Sequence, residues 1–296
     1  MQQVRKFNLA FRRGFRSYDT WMGDWWDNQS TNSSHQRAYR KIAEYMHSFL
    51  QRHGVQQPRF ILDYACGNGA VMKALLSRFP STRFIALDGS RKMLLKARNY
   101  LEGEADLVDA DQAFEPEGPR IRLVHAPLPD FSFPMKKVDV VLFLFPNMNF
   151  SAPEKRHLKE RIHSDRTAVL IAQMLSLIPE IGEILTPRRS REIFEEMLFD
   201  RAISHNIHHL LKKRAFWFKV DYSNISRAGL SKLDTVQTLF SEGAWDDQID
   251  GIRVRDRFRL MDSRYYRSSV VLDVYHQSQD PIDKSGGYFI SSFQSR

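Results

Sequence analysis

Two acids and two glycines stand at a spacing that can hold a hydroxyl-rich, charged ligand. Asp63 closes the apolar run Phe60-Ile61-Leu62, and Gly67 and Gly69 follow within Tyr64-Ala-Cys-Gly-Asn-Gly69. Asp88 closes a second apolar run, Phe84-Ile85-Ala86-Leu87, 21 residues after Gly67. A residue without Cβ lets a ligand approach the backbone closely. The exposed N–H groups that open the following helix favour a negative group. A carboxylate about 20 residues beyond such a loop accepts hydrogen bonds from ribose hydroxyls. Together these features point to an adenosine-type ligand. The third glycine of a dinucleotide fingerprint is missing, because Ala70-Val71-Met72 follows Gly69, and nicotinamide and flavin recede as candidates.

The elements that must position these residues follow from periodicity. The spacing predicts a strand over 59–63 and a helix over 69–79 with Val71, Ala74, Leu75 and Leu76 on its apolar face. A strand over 83–88 and a helix over 90–101 come next. A polar stretch spans 102–119, followed by strands at 120–125 and 138–145. A helix near 152–163 leads to a strand at Thr167 to Gln173. Such alternation predicts a parallel sheet with helices on both faces and a ligand crevice at the carboxyl ends of its strands.

Leu62-Asp-Tyr-Ala-Cys-Gly-Asn-Gly69 resembles the first motif of class I S-adenosylmethionine-dependent methyltransferases. Ala86-Leu-Asp-Gly-Ser-Arg-Lys-Met-Leu-Leu-Lys-Ala-Arg98 resembles the second. Val138-Asp-Val-Val-Leu-Phe-Leu-Phe-Pro-Asn147 resembles the fourth strand, whose end faces the reactive methyl. The resemblance covers 55–175 well and 255–277 loosely. It implies an α/β fold: a Rossmann-like doubly wound sheet, mostly parallel, closed by a C-terminal antiparallel hairpin at 252–261 and 267–276. The cofactor it implies is S-adenosyl-L-methionine, with S-adenosyl-L-homocysteine as product. The expected cofactor-binding set is Asp63, Ala65, Gly67, Gly69, Asp88, Gly89, Met93, Ala126, Leu128 and Phe145.

This sequence departs from the family pattern after the third strand, where an acid often lies near the adenine amino group. Here Ile121-Arg-Leu-Val-His125 runs into Ala126-Pro-Leu-Pro129, with no acid until Asp130. Backbone groups near Ala126 to Leu128, Asp111 and Asp130 all stay open as adenine contacts. Phe145-Pro-Asn-Met-Asn149 also does not match Asn-Pro-Pro-Tyr, the pattern used on exocyclic adenine amines.

The flanks are read as additions to this core. Residues 1–54 form an N-terminal helical lid, with Phe7, Phe11, Phe15 and Tyr18 at helical spacing and a helix from about His35 to Arg52. Residues 55–175 and 250–280 form the core. Residues 176–249 are too long for a simple connection and read as an α-rich insertion that caps the substrate. Within it, Arg188 to Lys213 reads as helix and Phe216 to Tyr222 alternates like a strand. The last 20 residues are polar and Ser-rich, with order expected only at Tyr288-Phe-Ile290.

Tyr18, Trp21, Trp25, Trp26, Asn147 and Asn149 are the candidate substrate contacts. His125, Asn147, His205 and His209 are the candidates for proton transfer or orientation. His205 and His209 are four apart on one helix face, but no acid lies within that stretch to complete a metal site, and no metal is expected. Cys66, the single cysteine, excludes an internal disulfide and a cysteine zinc site, and reads as a small residue suited to the glycine loop.

Composition bounds the partners. The net charge of +9 and pI near 9.6 attract anions, so nucleic acid stays open without being favoured. Arg253, Arg255, Arg257 and Arg259 would share one face of a strand, with Val254, Phe258 and Leu260 on the other. No run of about 18 apolar residues occurs, so no membrane span is expected, and a cytoplasmic location fits. The leading expectation is methyl transfer by in-line displacement to an O or N atom of a small-molecule acceptor. An RNA or protein methyltransferase and a non-catalytic S-adenosylmethionine-binding partner protein are the alternatives. Oligomeric state is not legible.

Overall fold

The computed structural model describes residues 17–126, 133, 137–145, 206–223, 248–249, 252–253, 257–268 and 287–296. After a short 3-10 turn (Ser17–Asp19) come α1 (Trp21–Ser30) and α2 (Ser33–Arg52). The chain then alternates through β1 (Phe60–Tyr64), α3 (Ala70–Leu76), β2 (Arg83–Asp88), α4 (Arg91–Tyr100), β3 (Ala105–Leu107), β4 (Ile121–His125) and β5 (Val138–Leu144). Beyond these lie β6 (Leu211–Ser223), the small β7 (Gln248–Ile249) and β8 (Ile252–Arg253), then β9 (Phe258–Arg267) and β10 (Gly287–Ser295).

Eight strands form one sheet in the order β3-β4-β2-β1-β5-β6-β10-β9. The six from β3 to β6 pair in parallel, whereas β10 runs antiparallel to both β6 and β9. The order reverses between β2 and β5 on either side of β1. That reversal opens a crevice at the carboxyl ends of these strands.

Period-2 alternation sends side chains to two cores. Ile61, Phe84, Ala86, Leu142, Phe218 and Val220 meet α2, α3 and α4 on one face. Phe60, Leu62, Ile85, Leu87, Phe143 and Trp217 fill the other.

Helix α2 shows how the sequence fixes this packing. Asn32 caps it, its Oδ1 accepting from the His35 backbone N–H at 2.9 Å. Ala38, Tyr39, Ile42, Ala43, Met46, Phe49 and Leu50 recur at helical spacing and are buried. The helix ends where Gly54, at φ 77°, lets Val55 N–H reach the Leu50 carbonyl at 2.8 Å. Phe49 then packs edge-on against Phe216 and Phe218, with centroids 5.5 and 5.3 Å away. Truncating so buried a ring typically costs about 3–5 kcal/mol.

The β-α-β opening stands where the periodicity predicts it, with each boundary shifted by a few residues at most. Three readings differ. Inside the segment read as a cap, Leu211–Ser223 forms β6, pairing with β5 in parallel and with β10. Its length argued for an insertion, yet Phe216, Phe218 and Val220 alternate with Trp217 toward two buried faces, as an interior strand requires. The helix read up to Lys213 therefore stops before Leu211.

The antiparallel strands that close the sheet among the described residues are Phe258–Arg267, which overlaps the strand read at 252–261, and Gly287–Ser295, which belongs to the tail read as loosely ordered beyond Tyr288-Phe-Ile290. Its serines fit because β10 sits between two strands that satisfy its backbone. Most of the strand read at 267–276 lies outside the described residues.

The arginine face is broken as well. Arg257 is buried, Arg259 is exposed, and Leu260, assigned to the inner face with Phe258, is 43% exposed. A register shift opposite Ser292/Phe293 inserts Met261 and resets the alternation. The polar stretch 102–119 contributes the edge strand β3 and a 3-10 turn (Ala110–Phe114) with a capping box between Asp109 and Gln112. The readings at 152–163, 167–173, 176–205 and 224–247 lie outside the described residues. Among the described residues, no helix is long and apolar enough to cross a membrane.

Candidate active site

The ends of β1, β2 and β5 converge on one cleft. It is lined by residues from the Asp63–Val71 segment, by Asp88 and Met93, by Leu144 and Phe145, and from above by Tyr18, Trp26 and Tyr39. Its empty space, counted out to the open mouth, is about 630 Å³, within the usual range for small-molecule sites.

Backbone conformation shapes the rim. Gly67 takes φ 57°, and a Cβ there would lie 3.1 Å from the Trp26 indole nitrogen. Ala65 (φ 65°) and Phe145 (φ 48°) hold the left-handed conformation without being glycine. Each such residue costs about 1–2 kcal/mol, and both line the cleft. Neighbouring bonds hold them in place. Cys66 N–H donates to the Leu87 carbonyl at 2.9 Å, and Phe145 N–H donates to Val220 at 2.8 Å.

Two buried carboxyls face this space in different states of satisfaction. Asp88 accepts from Gly67 N–H on Oδ2 and from Ser90 N–H on Oδ1, both at 2.8 Å. These bonds favour its ionised form, but burial outweighs them and its pKa is pushed up to about 6. Asp63 is 2% exposed, and its Oδ2 has no hydrogen-bond partner. Burial, reinforced by the nearby Asp88 charge, pushes its pKa up to about 8. Burial likewise raises the pKa values of the Tyr18 and Tyr39 phenols and the Cys66 thiol. No lysine, arginine or histidine lines the cleft among the described residues.

The first helices close over the glycine loop. Asp19 accepts from Ser90 Oγ at 2.7 Å and from Lys92 N–H at 3.1 Å at the start of α4. Asp27 accepts from Asn68 Nδ2 at 2.6 Å and from Lys96 Nζ at 2.8 Å, which ties α1 both to the loop and to α4. Trp26, His35, Tyr39 and Phe145 then form an aromatic set, with His35 centred 5.8 Å from Trp26, 6.0 Å from Tyr39 and 5.9 Å from Phe145. Full burial pushes the His35 pKa down to about 4 and keeps the ring neutral. Sequence reading passed over His35 and Tyr39 as helix residues. Their signal was the polar atom each carries on the apolar face of α2.

The structure gathers only part of the candidate set. Asp63, Ala65, Gly67, Asp88, Met93, Phe145, Tyr18 and Trp26 line the cleft. Gly69 caps α3 behind it. Gly89 accepts from the His125 ring at 3.2 Å, and His125 itself is exposed. The Ala126 N–H is committed to the Asp88 carbonyl at 3.0 Å and is not available to a ligand. Trp21 is 70% exposed and Trp25 half-buried, and neither lines the cleft. His209 is exposed on the helical turn before β6, distant in sequence from the lining residues. Leu128, Asn147, Asn149 and His205 lie outside the described residues.

With this geometry in view, residues 61–164 match the family model of the methyltransferase domain. These residues are thus similar to a methyltransferase domain, and they span the alternating strands and helices that build the cleft. Over 56 residues it is 46% identical to trans-aconitate 2-methyltransferase from Acidovorax sp. (strain JS42), and equally to that from Acidovorax ebreus (strain TPSY). That stretch covers 18% of this chain and spans 22% of the length of those relatives.

Two solved structures are also similar in outline. One is magnesium protoporphyrin IX methyltransferase (ChlM) from Synechocystis PCC 6803 with bound SAH, at 11% identity and TM-score 0.48, covering 97% of this chain and 100% of that one. The other is the plantazolicin methyltransferase BpumL in complex with a pentazolic analog and SAH, at 11% identity and TM-score 0.49, covering 100% of this chain and 98% of that one.

Proposed function

We propose that this chain binds S-adenosyl-L-methionine in the cleft at the ends of β1, β2 and β5 and directs methyl transfer to an O or N atom of a small-molecule acceptor. The observation that carries this reading is the convergence of Asp63, Gly67 and Asp88 with Trp26, Tyr39 and Phe145 on one partly roofed space. The residues present fit such a cofactor. Asp63 Oδ2 is a buried acceptor without a partner, and Gly67 lines the cleft without a Cβ. The acids suit positive charge, and aromatic faces attract cations.

The sulfonium supplies an electrophilic methyl when it is bound. The chain's part is then placement. Asp88 holds the glycine loop through Gly67 N–H and would receive the ribose hydroxyls on its remaining lone pairs. Trp26, Tyr39 and Phe145 exclude water, which an in-line displacement with reacting atoms about 3 Å apart requires. Segments 1–30, Asn147 to Asn149 and the parts of 176–249 outside β6 are proposed as the acceptor roof.

The test is a calorimetric titration with S-adenosyl-L-homocysteine, followed by transfer of labelled methyl to a panel of small carboxylates, amines, phenols and RNA. A panel that includes trans-aconitate asks whether the relatives' named acceptor is shared. Saturable cofactor binding with labelling of a small molecule supports the reading. Labelling of RNA alone moves it to the macromolecular alternative. Binding without turnover on any acceptor leaves the partner-protein alternative.

A further inference from the structure

Resting on that reading, we infer that the unliganded protein holds a proton on the Asp63–Asp88 carboxyl pair, and that a positively charged ligand expels it on binding. The two acids close adjacent parallel strands, β1 and β2, and are 2% and 5% exposed. Asp88 has each oxygen on a backbone N–H, the arrangement that suits a carboxylate. Asp63 leaves Oδ2 without a hydrogen bond. A second buried anion with an unsatisfied oxygen, beside the first, is the costly state, and a proton on Asp63 relieves it.

Among the described residues, no lysine, arginine or histidine lines the cleft to supply the missing positive charge. The titratable groups toward the pair are Tyr39 from α2, Tyr18 from the 3-10 turn, Cys66 from the loop, and Asp19 and His125 near Asp88. Three of these are neutral groups, one is a further acid, and His125 is exposed outside the lining. Lys92 and Lys96 point to Asp24 and Asp27 rather than into the cleft. The upward shift of Asp63 to about 8 agrees with this geometry.

The exchange is balanced in atoms and charge. The O–H bond of the Asp63 carboxyl breaks and its proton passes to the buffer. The resulting carboxylate then faces the cationic group of the ligand. The two acids titrate as a pair, so the count belongs to both and the location to Asp63.

The experiment is calorimetric titration of the whole chain with S-adenosyl-L-methionine at pH 7, without acceptor, in phosphate and in Tris. Their different ionisation enthalpies report protons exchanged. We expect release approaching one proton per ligand bound, and a several-fold smaller release in Asp63→Asn. Infrared difference spectroscopy of the unmutated protein gives a second readout, in which a carboxylic-acid C=O band disappears on ligand addition. Binding with no release and no loss of that band overturns the inference and leaves the methyltransferase reading in place. Unchanged release in a folded Asp63→Asn removes Asp63 as the carrier. Absence of any binding overturns both the inference and the reading beneath it.

Discussion

The indole nitrogen of Trp26 stands 3.1 Å from the point where Gly67 would carry a Cβ, so the first long helix rests directly on the glycine loop. Helix α1 and the glycine loop are thus one packed unit. A change in either is felt by the other.

Gly67→Ala places a methyl into that contact and a side chain at φ 57°. Strain of about 1–2 kcal/mol is expected from the conformation alone. Thermal unfolding should show this loss, and titration with S-adenosyl-L-homocysteine should show weaker binding as well. A variant with wild-type affinity would remove Gly67 from the site.

Trp26→Ala should lower turnover strongly, because Trp26 is buried and lines the cleft. Trp21→Ala should leave turnover near wild type, because Trp21 is 70% exposed. Steady-state kinetics on the two variants decides the matter. Equal losses would show that the contribution of α1 does not pass through the Trp26 contact.

Asp88→Ala removes the acceptor of both Gly67 N–H and Ser90 N–H. Hydrogen bonds to a charged group are worth about 1.5–3 kcal/mol each. Cofactor binding should weaken by about that amount, and the melting temperature should fall with it. Calorimetry showing unchanged affinity would refute the assignment of Asp88.

Stability should depend on pH through Asp63. Its folded pKa of about 8 lies above the ordinary value of 3.8, so the folded state binds the extra proton. Its contribution is complete below about pH 4 and is lost as pH rises through about 8, with a slope of at most about 1.4 kcal/mol per pH unit. Asp88, shifted in the same direction to about 6, adds a slope of the same sign between about 4 and 6. Urea unfolding of the unliganded protein at pH 6 and pH 8 should show this fall, and Asp63→Asn should flatten it. A stability that rises over this interval in both proteins would contradict the buried, unpaired state of Asp63.

Asp27→Ala cuts the link from α1 to Asn68 and one of the two carboxylate contacts that α1 makes with Lys96, leaving Asp24 on Lys92 and Lys96. The Lys96 pair is partly exposed and is worth less than about 1 kcal/mol by itself. Global stability should therefore change little, while amide exchange in residues 21–30 should accelerate. Unaltered exchange there would mean that the aromatic contacts and the Asp24 ion pairs hold the helix without Asp27.

By itself the sequence determined the β-α-β opening, the acids at the ends of β1 and β2, and the helix that covers them. Those features are local. An apolar run, a loop without Cβ atoms and a capped amphipathic helix each write their own period into a short window. Tertiary structure alone decided that Leu211–Ser223 joins the sheet beside β5, and that the serine-rich end of the chain supplies β10. A strand's place in a sheet depends on partners far away in sequence, and polar residues are admitted wherever neighbours satisfy the backbone. It also decided that Trp26 lines the cleft while Trp21 faces solvent, because Trp26 lies on the side of α1 that Asp27, Asn68 and Lys96 hold toward the loop. The unpartnered oxygen of Asp63 was likewise invisible in sequence. It follows from what the strands and helices around the cleft place beside it among the described residues.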